Sequence, residues 1–391
     1  MEKFTYIIVG GGLAGHKAVQ GIRKIDPSSS LVLICAEDHI PYQRPPLSKS
    51  YLTGNKGLDQ VYLKNEDFYQ KQNIKLIRGL AANRIEPEKR MVCLADGSDL
   101  YYEKLLLATG STALRLPLPG NELNNVFTLR TIEDSDSIRK AAESGAEAVV
   151  IGGSFIGSET AASLVKMGVK VTMIFPEIRI LARLVPEQLS RAMDNKFREQ
   201  GVKIITGTKP VSFAGQGKVS SVELDSGKSI PADLVIMGVG VKLNTALALE
   251  AGLDMGERGS VLTDVFLRTR DKNIYAAGDI VCWPDQRYGK RLRLEHWDAA
   301  RAQGLRAGKN MAGEEKPYKT LPYFFSDIFD FSLEAWGDLG QWDKILIKGD
   351  IDKRNFVIYY FFQDRLCAAL SCGKDEAEKQ EIEEKVKACV F

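Results

Sequence analysis

The chain has 391 residues, more than a single hydrophobic core organises, so two to three domains of ordinary size are expected. Its 53 basic and 51 acidic side chains leave a net charge of +2, which argues against nucleic acid as a principal partner. No run of roughly eighteen apolar residues is present, so no membrane span is expected. The apolar strand Tyr6–Val9 comes so early that it leaves no room for a leader, and a cytoplasmic protein is the expectation.

That strand runs into Gly10-Gly-Gly12-Leu13-Ala14-Gly15, then a helix through about Lys24 and a second strand, Leu31–Cys35. This is the opening of a doubly wound sheet. Gly10 permits the tight turn, Gly12 leaves room for a pyrophosphate, and Gly15 lets helix pack on strand. Glu37, just past the second strand, is placed to accept hydrogen bonds from a ribose.

Next come Pro41-Tyr-Gln-Arg44-Pro-Pro-Leu-Ser-Lys49 and an apolar strand from Leu105 that leads into Thr109-Gly110. The same grammar then repeats: Ala148–Ile151, Gly152-Gly153-Ser154-Phe155-Ile156-Gly157, a helix from Ser158 to about Met167, strand Lys170–Phe175, and Glu177. Ser154 stands where the first turn has its middle glycine and narrows the approach to a phosphate. Glu177 suits a ribose with free hydroxyls and repels a 2′-phosphate, which favours NADH over NADPH, while Arg179 and Arg183 pull the other way.

A third strand, Asn273–Ala276, ends at Asp279. Arg287, Lys290, Arg291 and Arg293 precede Glu295-His296-Trp297, and read either as a solvated loop or as a docking patch for an acidic protein. The tail offers a strand at Phe356–Phe362 and a charged helix over Lys374–Lys387. The six cysteines are scattered and read as buried small hydrophobes, and the three histidines are too dispersed for a metal site.

The order of these segments, with Tyr42-x-Arg-Pro-Pro-Leu-Ser-Lys49, Thr109-Gly110, Gly278-Asp279, Glu295-His296-Trp297 and Tyr323-Phe-Phe325-Ser-Asp327, resembles the ferredoxin-reductase and apoptosis-inducing-factor branch of the FAD-dependent pyridine-nucleotide oxidoreductases. The resemblance spans essentially the whole chain. It implies an α/β protein with two Rossmann-like nucleotide-binding domains: an FAD domain in two pieces, residues 1–112 and 245–319, interrupted by an NAD domain, 113–244. A small α+β C-terminal domain, 320–391, follows.

The resemblance puts FAD on Gly12, Leu13, Ala14, Glu37, Arg44, Lys49, Ala82, Arg130 and Asp279, with His296, Trp297 and Phe325 around the isoalloxazine. Relatives often carry tryptophan where this chain has Phe325. NADH would meet Gly153, Ser154, Phe155, Ile156, Glu159, Glu177, Arg183, Gly240, Glu295 and Glu334. Lys49 and Glu159 resemble the family's paired ammonium and carboxylate beside the flavin.

The implied activity is transfer of electrons from NADH through FAD to a small acidic one-electron carrier, an iron–sulfur protein such as a ferredoxin, or a rubredoxin. An NADH oxidase or disulfide reductase, and an NADH-sensing interaction protein resembling apoptosis-inducing factor, are the alternatives. No metal is expected, and the chain is expected to be a monomer or homodimer.

Overall fold

The computed structural model describes residues 2–390. Its first sheet is built on Glu2–Val9, whose last four residues are buried. This strand runs parallel to Leu31–Cys35 on one side and to Asp99–Leu107 on the other, with Tyr6 opposite Leu31 and Lys104. All five residues of Leu31–Cys35 are buried, as expected of a parallel strand covered on both faces. Ile74–Arg78 extends the sheet beyond Leu31–Cys35.

The far edge of Asp99–Leu107 is shared between two partners. Its beginning pairs antiparallel with Met91–Leu94, and its end pairs parallel with Ile274–Ala276. A segment nearly 170 residues downstream thus completes the first sheet, so the strands of a second sheet lie in an interruption of the first.

The second sheet is wholly parallel, in the order Lys203–Thr206, Lys170–Phe175, Glu147–Ile151, Leu234–Met237 and Val126–Thr128. A smaller antiparallel sheet, Pro210–Gln216 with Lys218–Leu224 and Ser229–Pro231, packs beside it. The helix after the second glycine turn spans Phe155–Lys166, three residues earlier than the expected start at Ser158. Ser154 has an extended backbone and serves as N-cap, so the turn closes directly into the helix.

The C-terminal sheet is antiparallel, ordered Tyr323–Ile328, Phe331–Gly337, Arg365–Cys372, Asn355–Phe362 and Lys344–Asp350. Helix Glu376–Val390 packs on it through Ile382 and Val386.

Helices Leu13–Ile25 and Trp297–Met311 cross in backbone contact. A Cβ on Gly304 would sit 2.2 Å from the Ala14 carbonyl oxygen, and one on Gly308 equally close to that of Ala18. Since 14 meets 304 and 18 meets 308, the helices run in the same direction. Trp297 therefore lies roughly 9 Å beyond the start of the first helix, at 1.5 Å per residue. Two positive helix ends face the same region, one set behind the other.

Candidate functional site

The glycines of the first turn divide by what surrounds them. A Cβ on Gly10, whose φ is +127°, would fall 2.1 Å from the Ala108 carbonyl oxygen, and one on Gly15 would fall 2.0 Å from that of Gly10. Gly12 has nothing within 4 Å. Two positions therefore hold the turn shut, and the third leaves an open cradle at the end of the helix that begins with Leu13 and Ala14. The second turn is closed in the same way: Cβ atoms on Gly152 and Gly157 would lie 2.3 and 2.2 Å from backbone oxygens. Ser154 is exposed there and its side chain makes no cap hydrogen bond.

Beyond the first turn, side chains predicted from widely spaced segments join in one network. Glu37 accepts from the Tyr42 hydroxyl and, at 2.7 Å, from Arg44 Nη2. Arg44 Nη1 reaches the Arg130 carbonyl oxygen. Arg130 in turn donates to Asp279 at 2.9 Å, and Asp279 also accepts from Ser111 Oγ at 2.6 Å. Ala82 comes alongside because the amides of Gly79 and Leu80 bond to the carbonyls of Glu37 and Cys35. The Thr109 hydroxyl is committed to the Asn244 carbonyl at 2.6 Å, and the Gly240 carbonyl accepts from Leu114. Both residues thus sit in the crossover between the two parallel sheets, where Ser111–Ala113 pairs with Val241–Leu243.

At the junction of the two units and the C-terminal sheet stands Glu159, whose side chain is only 6% exposed. Lys49 Nζ approaches its Oε2 at 2.6 Å, and Ser48 Oγ donates to the same oxygen at 2.6 Å. Oε1 accepts from Ser326 Oγ, again at 2.6 Å. No other protein partner holds the Lys49 ammonium among the described residues, which leaves N–H groups free for a ligand.

Aromatic rings surround this junction. The Phe324 ring stands 5.2 Å from Phe155 and 5.1 Å from His296, and Trp297 stands 6.1 Å from Phe325. His296 Nδ1 and Trp297 Nε1 are buried without a hydrogen-bond partner. Burial holds the His296 imidazole down at about 4, so it is neutral at pH 7. Open space at Gly12, an ammonium with a single protein partner and the two buried nitrogens without partners are features that fit a bound dinucleotide.

Glu177 is paired with Arg183 at 2.9 Å, so its charge is partly balanced before any nucleotide arrives. Ile156 projects into solvent beside this turn. Glu295 pairs with Arg293. Glu334 accepts from the Tyr323 hydroxyl at 2.7 Å and pairs with Lys379, both within the C-terminal domain. It lies directly opposite Phe325 in the strand pair.

The basic cluster is corrected at one position. Arg287 is 4% exposed, paired with Asp285, and donates to the carbonyls of Lys319 and Thr320. Arg291 donates to the carbonyls of Thr263 and Cys282, and Lys290 pairs with Asp338 at 2.7 Å. Through these contacts Arg287 and Arg291 clasp the Val281–Leu292 hairpin to its surroundings; the Arg287 side chain turns inward, while Lys290 and Arg291 remain exposed at the surface. Arg287→Gln should therefore cost roughly 3 kcal/mol of stability, because it strands the buried Asp285 carboxylate. Chemical denaturation measures it; a cost near zero would return Arg287 to the surface.

Sequence reasoning missed Ser48, Ser111, Ser326 and Gln303. Gln303 is fully buried and accepts from the Gly278 amide at 2.9 Å, fixing the turn that carries Asp279. Single serines and a glutamine on a helix carry no signal of their own; only their contacts across the fold mark them.

Residues 4–304 match the family model described as pyridine nucleotide-disulphide oxidoreductase. The putidaredoxin reductase of Pseudomonas putida is 34% identical over 368 residues, covering 93% of this chain and 87% of that protein. A rubredoxin-NAD(+) reductase of the same organism is 34% identical over 363 residues, covering 93% and 94%. The crystal structure of the covalent putidaredoxin reductase–putidaredoxin complex superposes with a TM-score of 0.94 at 32% identity, covering 99% of this chain and 93% of that one.

Proposed function

Because this chain belongs to the pyridine nucleotide-disulphide oxidoreductase family, we propose that it is an NADH-dependent FAD reductase serving a small one-electron carrier of the iron–sulfur or rubredoxin type. The observation that carries the reading is two glycine cradles in one chain whose flanking segments meet at the Lys49–Glu159 pair. The first cradle, with Glu37, Arg44, Arg130 and Asp279, would hold FAD. The second, with Glu177 and Arg183, would hold NADH.

FAD bound in the first cradle would supply the chemistry, acceptance of hydride and release of electrons one at a time. The chain aligns and stabilises. Glu159 holds the Lys49 ammonium in one place, and that fixed positive charge favours the reduced, more negative cofactor. The N-terminal end of the Trp297–Met311 helix adds partial positive charge of the same sign. Neutral His296 and the Phe155, Phe324 and Phe325 rings exclude water without adding a competing charge.

Thiol chemistry finds little support in the residues. Cys35, packed beneath Gly11, is buried, and burial together with the Glu37 carboxylate pushes its thiol up to about 12. Cys93, Cys367 and Cys372 are buried too, whereas Cys282 is half-buried and Cys389, on the C-terminal helix, is exposed.

The carrier assignment is tested by mixing anaerobically reduced protein with a rubredoxin, an iron–sulfur ferredoxin, oxygen and a small disulfide in parallel. The protein carriers should reoxidise it faster than the other two. Oxygen or disulfide reacting at least as fast would replace this reading by one of an oxidase or disulfide reductase.

The nucleotide preference gives a second measurement. NADH should bleach the bound flavin at least about tenfold more efficiently than NADPH, equivalent to about 1.4 kcal/mol. Glu177→Ala should narrow the gap, and Arg183→Gln, which unmasks Glu177, should widen it. Stopped-flow absorbance reads all three; an NADPH preference in the unmodified protein would show that Arg179 and Arg183 govern the site.

A further inference from the structure

Two polypeptide segments far apart in sequence end on one carboxylate carried by a third. Ser48 and Lys49 come from the first nucleotide unit, Glu159 from the first helix of the second unit, and Ser326 from the opening strand of the C-terminal sheet. Both carboxylate oxygens are taken: Oε2 by Ser48 and Lys49, Oε1 by Ser326 alone. A carboxylate held at one oxygen only can rotate about its terminal torsion, which is broad and soft. Held at both, it has one orientation.

Ser48 is itself pinned, since its carbonyl accepts from Ser163 Oγ at 2.7 Å. Ser326 is buried, and its strand is paired along its whole length with Phe331–Gly337. The C-terminal sheet is fastened at a second point by Tyr288, whose hydroxyl donates to the Cys367 carbonyl and accepts from the Asp338 amide. The sheet that carries Ser326 is thus seated firmly enough to orient Glu159.

We infer that Ser326 is a positioning residue for hydride transfer: by filling Oε1 of Glu159 it fixes that carboxylate, which in turn fixes the Lys49 ammonium. The seating of the C-terminal sheet is thereby coupled to the redox site through one hydroxyl. This inference rests on the reading of the site as an FAD and NADH centre.

The test is Ser326→Ala in the FAD-loaded protein. Loss of one ordinary hydrogen bond, about 1 kcal/mol, corresponds to roughly a fivefold fall in the limiting rate of flavin reduction. The NADH dissociation constant should stay within about twofold, since Ser326 reaches the second glycine-turn helix only through Oε1 of Glu159. The flavin midpoint potential should fall, because Lys49 is held less firmly.

A second variant, Lys49→Ala, isolates the route. In that background Ser326→Ala should shift neither potential nor rate further, since the group it positions is gone. Ser326→Ala with an unmoved potential, at any melting temperature, overturns the inference and leaves the serine a packing contact. A shift that persists undiminished in Lys49→Ala overturns it equally. Potentials are poised with dithionite, so the outcome does not depend on NADH as donor. Failure of NADH to bleach the unmodified protein is a separate result that counts against the wider reading alone.

Discussion

Gly12→Val should give a folded apoprotein that no longer retains FAD, whereas Gly15→Ala, three positions along the same turn, should damage the fold itself. The difference follows from what each added side chain meets. At Gly12 the protein offers nothing within 4 Å, so a valine costs the apoprotein little. It does fill the space through which backbone amides reach a pyrophosphate. Losing two charge-assisted hydrogen bonds amounts to about 3 kcal/mol, or roughly a hundredfold in the FAD dissociation constant. At Gly15 a Cβ falls 2.0 Å from a backbone oxygen inside the turn, and relief requires moving the Tyr6–Val9 strand end or the helix. Overpacking of this kind costs about 3 kcal/mol. Denaturant unfolding of the apoproteins, set beside FAD titration, separates the two; similar stability losses in both variants would mean that the open cradle at Gly12 is not there.

Glu159→Ala should have the second large effect, on stability and chemistry together. It strands the Lys49 ammonium and removes the acceptor from two buried serine hydroxyls. Breaking a buried pair from one side costs about 3 kcal/mol. Lys49→Ala is milder for the fold, since Glu159 keeps both serine donors. It should nevertheless slow flavin reduction by about 30-fold, equivalent to about 2 kcal/mol of lost charge stabilisation. FAD content should remain largely intact. Calorimetry and stopped-flow reduction of both variants decide it: a Lys49→Ala protein that is destabilised yet reduces at the normal rate would make the pair a structural tie.

Both glycine turns were legible in the sequence because everything that defines them is local: an apolar strand, glycines at fixed offsets, a helix and an acid past the second strand. Tertiary pairing adds the fact that Ile274–Ala276 returns to the edge of Asp99–Leu107. The Lys49–Glu159 pair was reachable only through family resemblance, since nothing in either residue's neighbourhood points to the other. Ser326 stands inside the Tyr323–Asp327 motif with no role attached to it, because its partner Glu159 lies 167 positions away.

Within the basic cluster the departure from the sequence reading is Arg287. Composition cannot show that Arg287 turns inward onto Asp285 and two carbonyls, and alternation along a short hairpin does not reveal which side is covered. For Glu334 the sequence likewise shows neither of its partners, Tyr323 and Lys379.

Anaerobic titration of the purified protein with NADH, followed in the visible spectrum, tests the central claim most directly. A yellow protein should release one FAD per chain on denaturation, and before that its flavin absorbance should bleach in proportion to added NADH, reaching completion near one equivalent. A protein that takes up no FAD on reconstitution, or whose bound flavin is reduced by dithionite and left untouched by NADH, would contradict the account.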